Sequence, residues 1–225
     1  MAKVIVFANQ KGGVGKSTLA VLSANHLSAK GENIGIIEVD VQKSISNKRN
    51  SDLRTLGYDE DEMNYEVRYQ EPKSPEESLE IVNKLKGLNG DYIFLVDLPG
   101  KIDENYVVPF LVYADYIICP FQYESMCLAS TNTFIKVVQF LKGKFGTSPE
   151  LIFVPNNIDT RIGTKSELEG WKKVEDTFDI FGKVAPRIPA SAELRRLDTH
   201  ANNPKQEEAA LKFLKYITRL IENNK

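Results

Sequence analysis

Short apolar runs recur along this chain, and longer stretches with helical periodicity lie between them. The runs fall at residues 4–8, 34–39, 92–96, 116–119, 151–154 and 184–188. Most are continuous rather than alternating, as expected of strands buried on both faces of a parallel sheet. The amphipathic stretches fall at 17–30, 75–88, 102–113, 125–145, 166–178 and 205–221, and read as helices. This alternation predicts an α/β fold, a doubly wound and mostly parallel sheet with helices on both faces and right-handed crossovers. Residues 43–74 break the pattern. They are polar and acidic, with DEDE at 59–62, and read as a helix or two plus a loop at the periphery. Nothing marks a linker, so residues 1–225 are expected to form one domain.

Composition changes this picture little. A chain of 225 residues, 42% hydrophobic and 27% charged, can bury a large core without disulfides. Its two cysteines, Cys119 and Cys127, are too far apart for a CxxC motif and point to a reducing, cytoplasmic setting. No run reaches membrane-spanning length, and the first residues lack a signal-peptide pattern. Charge distribution adds more. Residues 52–80 carry ten acidic and three basic side chains, whereas 183–225 carry nine basic and five acidic. The basic end is a candidate surface for phosphate backbones.

The chemistry begins where the first predicted strand ends. Asn9-Gln10 is followed by Lys11-Gly12-Gly13-Val14-Gly15-Lys16-Ser17-Thr18 and then by a predicted helix. Glycines let successive backbone N–H groups turn toward phosphates, and the helix N-terminus adds unpaired donors and a positive dipole end. Lys16 supplies a charge to the β- and γ-phosphates, and the Ser17 hydroxyl is placed for Mg²⁺. The ligand is therefore expected to be ATP with Mg²⁺. In the generic motif GxxxxGK[ST] the first glycine would fall at residue 10, where Gln10 stands. Two further predicted strands end in aspartates, Asp40 and Asp97, which suits a P-loop enzyme's need for carboxylates near the metal and water. Glu38, two residues before Asp40, is expected to face the other side of the sheet.

A lysine followed at once by two glycines resembles the deviant Walker A loop of the ParA/MinD family of P-loop ATPases, and Gln10-Lys11 resembles the small ParA-type partition branch most. The resemblance implies a P-loop NTPase fold and a homodimer formed with ATP. Lys11 would be the signature lysine, reaching across the interface to the partner's triphosphate. Asp40-Val41-Gln42 resembles the family's second Walker motif, with Val41 in place of proline; Asp40 would orient the attacking water and contact the metal's shell. Asp97-Leu98-Pro99 is similar to the family's Walker B ending, and Asp97 would hold Mg²⁺ through water. Asn156 falls where relatives contact adenine.

The resemblance also implies slow ATP hydrolysis to ADP and phosphate, stimulated by a small DNA-binding or adaptor partner. The ATP dimer would bind DNA of any sequence and associate with the nucleoid. Candidate phosphate contacts are Arg187, Arg195, Arg196, Lys212, Lys215 and Arg219. In the helix predicted over 205–221, Ala210, Phe213, Leu214, Ile217, Leu220 and Ile221 share one face, opposite Lys212, Lys215 and Arg219. MinD-type relatives attach to membranes through a short C-terminal amphipathic helix. That alternative ranks second, because this helix is long enough to be the last core-packing element. Iron–sulfur relatives would need cysteine pairs that the chain does not have. Metabolic P-loop relatives fit Lys11 and Gln42 less well.

Overall fold

The computed structural model describes residues 2–101, 104–159 and 164–222. Within them, seven strands form one parallel sheet: β1 (Lys3–Phe7), β2 (Asn33–Glu38), β3 (Glu66–Tyr69), β4 (Tyr92–Asp97), β5 (Tyr116–Phe121), β6 (Glu150–Pro155) and β7 (Lys183–Val184). Their spatial order is β3-β2-β4-β1-β5-β6-β7. Five of the predicted runs become strands to within two residues at either end. The sixth, 184–188, yields only the two-residue β7 and an isolated bridge between Ile158 and Pro189. Pro186 and Pro189 supply no N–H, which keeps this edge from lengthening.

The helices are α1 (Lys16–Ser28), α2 (Ser44–Leu56), α3 (Pro75–Lys86), α4 (Val108–Tyr113), α5 (Ser125–Phe145), α6 (Lys165–Phe178) and α7 (Pro204–Glu222). Side chains of α1, α2 and α7 pack with Ile5, Phe7, Ile36 and Leu95 on one face of the sheet. Those of α3 to α6 pack with Val4, Val6, Val96 and Phe153 on the other. The doubly wound α/β fold is therefore as the pattern predicts. α4 starts six residues later than its predicted start, and residues 102 and 103 of that prediction lie outside the described residues.

Residues 43–74 hold a correction. They contain helix α2, as expected, but also the edge strand β3, in a stretch whose polarity predicts loop. β3 has the sequence EVRY and pairs only with β2, so polar side chains alternate along it and no continuous apolar run announces it. α1 is buried nearly all round because it lies between the sheet and α7. That position fixes the phosphate loop, which enters α1 directly from the central strand β1.

Candidate nucleotide site

The loop that joins β1 to α1 is held from three sides. Asn9 is fully buried; its Nδ2 donates to the Pro120 carbonyl at 2.7 Å and to Thr131 Oγ1 at 3.0 Å. Its Oδ1 accepts from the Lys11 N–H at 3.1 Å, so β5 and α5 set where Lys11 begins. Val14 is buried in the core and pins the loop's middle. On the third side, Asn156 Nδ2 donates to the Val14 carbonyl at 2.8 Å. Gly15 enters α1 with φ of 100°, and a Cβ there would collide with that same amide. Glycine is required on both counts.

An open cleft of roughly 820 Å³ lies beyond this loop, with Gly12, Lys16, Ser17, Asp40 and Gly100 among its lining. A smaller recess of roughly 200 Å³ shares Gly13, Gly15 and Thr18 with it and runs to Asn157, Pro189 and Arg195. The first has the composition of a phosphate site, the second the size and mixed polarity for a base. The sequence-predicted residues Lys11 to Thr18, Asp40, Asp97 and Asn156 are thus brought to one end of the sheet, beyond the carboxyl ends of β1, β2, β4 and β6. This is the end where open parallel sheets bind ligands.

Charge is concentrated there. The Lys16 ammonium is buried and donates to the Lys11 carbonyl at 3.3 Å. Burial lowers its pKa, against the opposing fields of Asp97 and Asp40. Asp97 is fully buried, and burial raises its pKa to about 7 despite the Ser17 hydrogen bond and the Lys16 charge. Its Oδ2 accepts from Ser17 Oγ at 2.6 Å, while its Oδ1 is buried with no hydrogen-bond partner. An orphaned carboxylate oxygen beside a serine hydroxyl fits the shell of a hard cation. Among the described residues there is no cluster of three or more histidine, cysteine or acidic side chains for a metal. That is compatible with Mg²⁺, which keeps waters and substrate phosphates as most of its ligands.

One expectation about an individual side chain changes. Glu38 does not face away: it shares the sheet face of Ile34 and Ile36 and pairs in register with Asp97. Residues two apart on a strand lie on the same side, which the expectation overlooked. Asn156 gives one of its two amide N–H groups to the Val14 carbonyl in the phosphate loop, which leaves its other N–H and its oxygen for a base. The sequence pattern alone assigned no site role to Asn9, Glu38 or Gly100. A polar residue closing a buried strand, or an acid inside an apolar run, was the available signal for the first two. Gly100 packs against Gly12, close enough that a Cβ would sit 3.4 Å from Gly12 Cα.

The six basic candidates do not share one surface role. Lys212, Lys215 and Arg219 are exposed together on the outer face of α7, and Arg196 is also exposed. Arg195 is exposed but lines the smaller recess. Arg187 is committed elsewhere: its Nε and Nη2 reach the Glu175 carboxylate at 2.7 and 3.0 Å. Its guanidinium also lies 5.6 Å from the ring centroids of both Tyr123 and Trp171. Those rings stack with centroids 4.6 Å apart, and the Tyr123 hydroxyl donates to Glu175.

Comparisons with known proteins agree with this geometry. A plasmid partition protein of Borrelia burgdorferi bound to AMPPNP superposes with a TM-score of 0.72 at 18% identity, covering 97% of this chain and all of the other. The MinC:MinD cell division complex of Aquifex aeolicus gives 0.68 at 18%, covering 98% and 96%. Cobyrinic acid a,c-diamide synthase of Mycobacterium smegmatis with bound ADP and magnesium gives 0.66 at 19%, covering 100% and 97%. Identities this low establish the fold and nothing finer. No curated protein sequence matches the chain. The description of the CobQ/CobB/MinD/ParA nucleotide binding domain matches residues 5–222, and with the phosphate loop and both strand-end aspartates in place, the chain belongs to that family.

Proposed function

We propose that this chain is an ATP-dependent dimerising ATPase of the partition type, which binds DNA of any sequence as an ATP-bound dimer and is released when a partner stimulates hydrolysis. The observation that carries the reading is Lys11. Its backbone is clamped by Asn9, yet its ammonium has no hydrogen bond or ion pair among the described residues. A lysine at the start of the phosphate loop, outside the residues that line the cleft, would be free to meet a second subunit's triphosphate. ATP would then be both ligand and adhesive. The fold alone does not discriminate, since it is shared with a diamide synthase.

In this reading Lys16 neutralises the β- and γ-phosphates and the loop N–H groups cradle them. Ser17, and Asp97 through water, would hold Mg²⁺, which when bound supplies charge neutralisation at the phosphates. Asp40 would orient the attacking water and contact the metal's shell. Asn156 lies against the base. Lys212, Lys215 and Arg219 face DNA phosphates. The apolar face of α7 is used up in the core, which favours DNA over membrane insertion of this helix. Light scattering of Lys11→Ala with ATP tests the central claim. The dimer is expected to be lost while ATP still binds; an undiminished dimer with wild-type turnover would sink it.

A further inference from the structure

Helix α2 begins without a local cap. Its N-cap residue Lys43 sits in the left-handed region at φ of 51°, and its side chain, which has no acceptor, forms no cap. The first turn is capped instead from the sheet. The Glu38 carboxylate, fully buried at the end of β2, accepts from the Ile45 and Ser46 N–H groups, each at 2.8 Å. It also accepts from Ser46 Oγ at 2.5 Å and Ser44 Oγ at 3.4 Å. A buried carboxylate with donors of this kind is strongly held, because its charge meets the positive end of the helix.

The turn enclosed between strand and helix is the one that carries Asp40. Val39 N–H bonds to the Asp97 carbonyl at 3.0 Å, fixing the turn's start, and Lys43 N–H returns to the Asp40 carbonyl at 3.0 Å. Asp40 Oδ1 accepts from the Gln42 N–H at 3.0 Å. Glu38 thus closes a loop on itself: its backbone starts the turn and its side chain ends it. We infer that Glu38 is a positioning residue for hydrolysis, holding Asp40 at the phosphate cleft by tying the start of α2 to the end of β2. The inference rests on the proposed role of Asp40 and extends it. It gives α2 a mechanical route to the reacting end of the cleft, since a shift of α2 would move the turn through these four bonds.

Glu38→Gln keeps the shape but replaces one acceptor with a donor that opposes an N–H. Turnover and affinity for a fluorescent ATP analogue should be measured for Glu38→Gln, Asp40→Ala and the double variant. The expected result is a kcat about 10- to 100-fold lower for Glu38→Gln with nucleotide affinity unchanged. The double variant should be no slower than Asp40→Ala alone, because both act through one group. The Ile45 and Ser46 amides should exchange hydrogen faster, which reports the cap directly. Wild-type kcat in Glu38→Gln beside a slow Asp40→Ala would overturn the inference, as would additive losses in the double variant. Normal turnover in Asp40→Ala would instead remove the underlying role of Asp40. If Glu38→Gln does not fold, Ser46→Ala removes the shortest of the four bonds and should lower kcat about threefold or more; an unchanged kcat would again overturn it.

Discussion

At the scale of single residues, the site is built from polar groups that cost energy to bury. Asp97 takes up its proton near pH 7 in the folded protein, against a reference of 3.8. A folded-state pKa raised above the unfolded one means that the folded state holds the proton longer. Stability of the nucleotide-free protein should therefore fall as pH rises from about 4 to about 7, by at most about 1.4 kcal/mol per unit from this group. Asp97→Asn should flatten that slope and raise the melting temperature at pH 8; thermal melts across this range check it. Asn156→Ala leaves the Val14 carbonyl unpaired, which should cost about 1–3 kcal/mol and weaken nucleotide binding, both readable by calorimetry. The phosphate loop's place between β1 and α1 was legible, because an apolar strand, closely spaced glycines and a helix follow one another without a break. The clamps around it were not. Asn9, Glu38 and Asn156 act through partners 111, 7 or 142 positions away, and no local pattern announces such pairings.

At the scale of elements, apolar periodicity located α1 and α3 to α7 and all the strands buried on both faces, while α2 lay in the polar segment 43–74 without bounds. It failed at the two edges, where β3 is polar and β7 is cut to two residues. Both faces of α7 were also legible, and they separate cleanly into two experiments. Phe213 is fully buried against α1 and the sheet, so Phe213→Ala should cost about 3–5 kcal/mol in unfolding by denaturant. Lys212, Lys215 and Arg219 are exposed, so replacing all three with glutamate should leave stability nearly unchanged. If this face meets DNA, the same variant should lose binding to a random duplex at low salt. Full retention would move the DNA surface elsewhere.

At the scale of the molecule, the proposed cycle predicts binding that needs both ATP and low ionic strength. Each phosphate neutralised by a lysine or arginine contributes close to one unit to the slope of log affinity on log salt. A dimer that presents three such residues per subunit should therefore show a slope of about −5, and a monomer about half that. Titrating salt with ATP and with ADP distinguishes them. Liposome binding without DNA binding would instead favour membrane attachment. Why the sequence says little at this scale is physical: the same sheet carries partition proteins, cell division proteins and a synthase, and their differences lie on surfaces rather than in the core.

The stack of Tyr123 on Trp171 also gives the protein a built-in optical signal. Trp171 is the only tryptophan in the sequence. Tyr123 directly follows Gln122, and Arg187, which lies over both rings, stands two residues before Pro189. Gln122 and Pro189 both line the smaller recess. A base entering that recess would disturb the segments on either side of the indole, so nucleotide arrival should change the native emission spectrum. Binding and release could then be timed in unlabelled protein, with Trp171→Phe as the dark control.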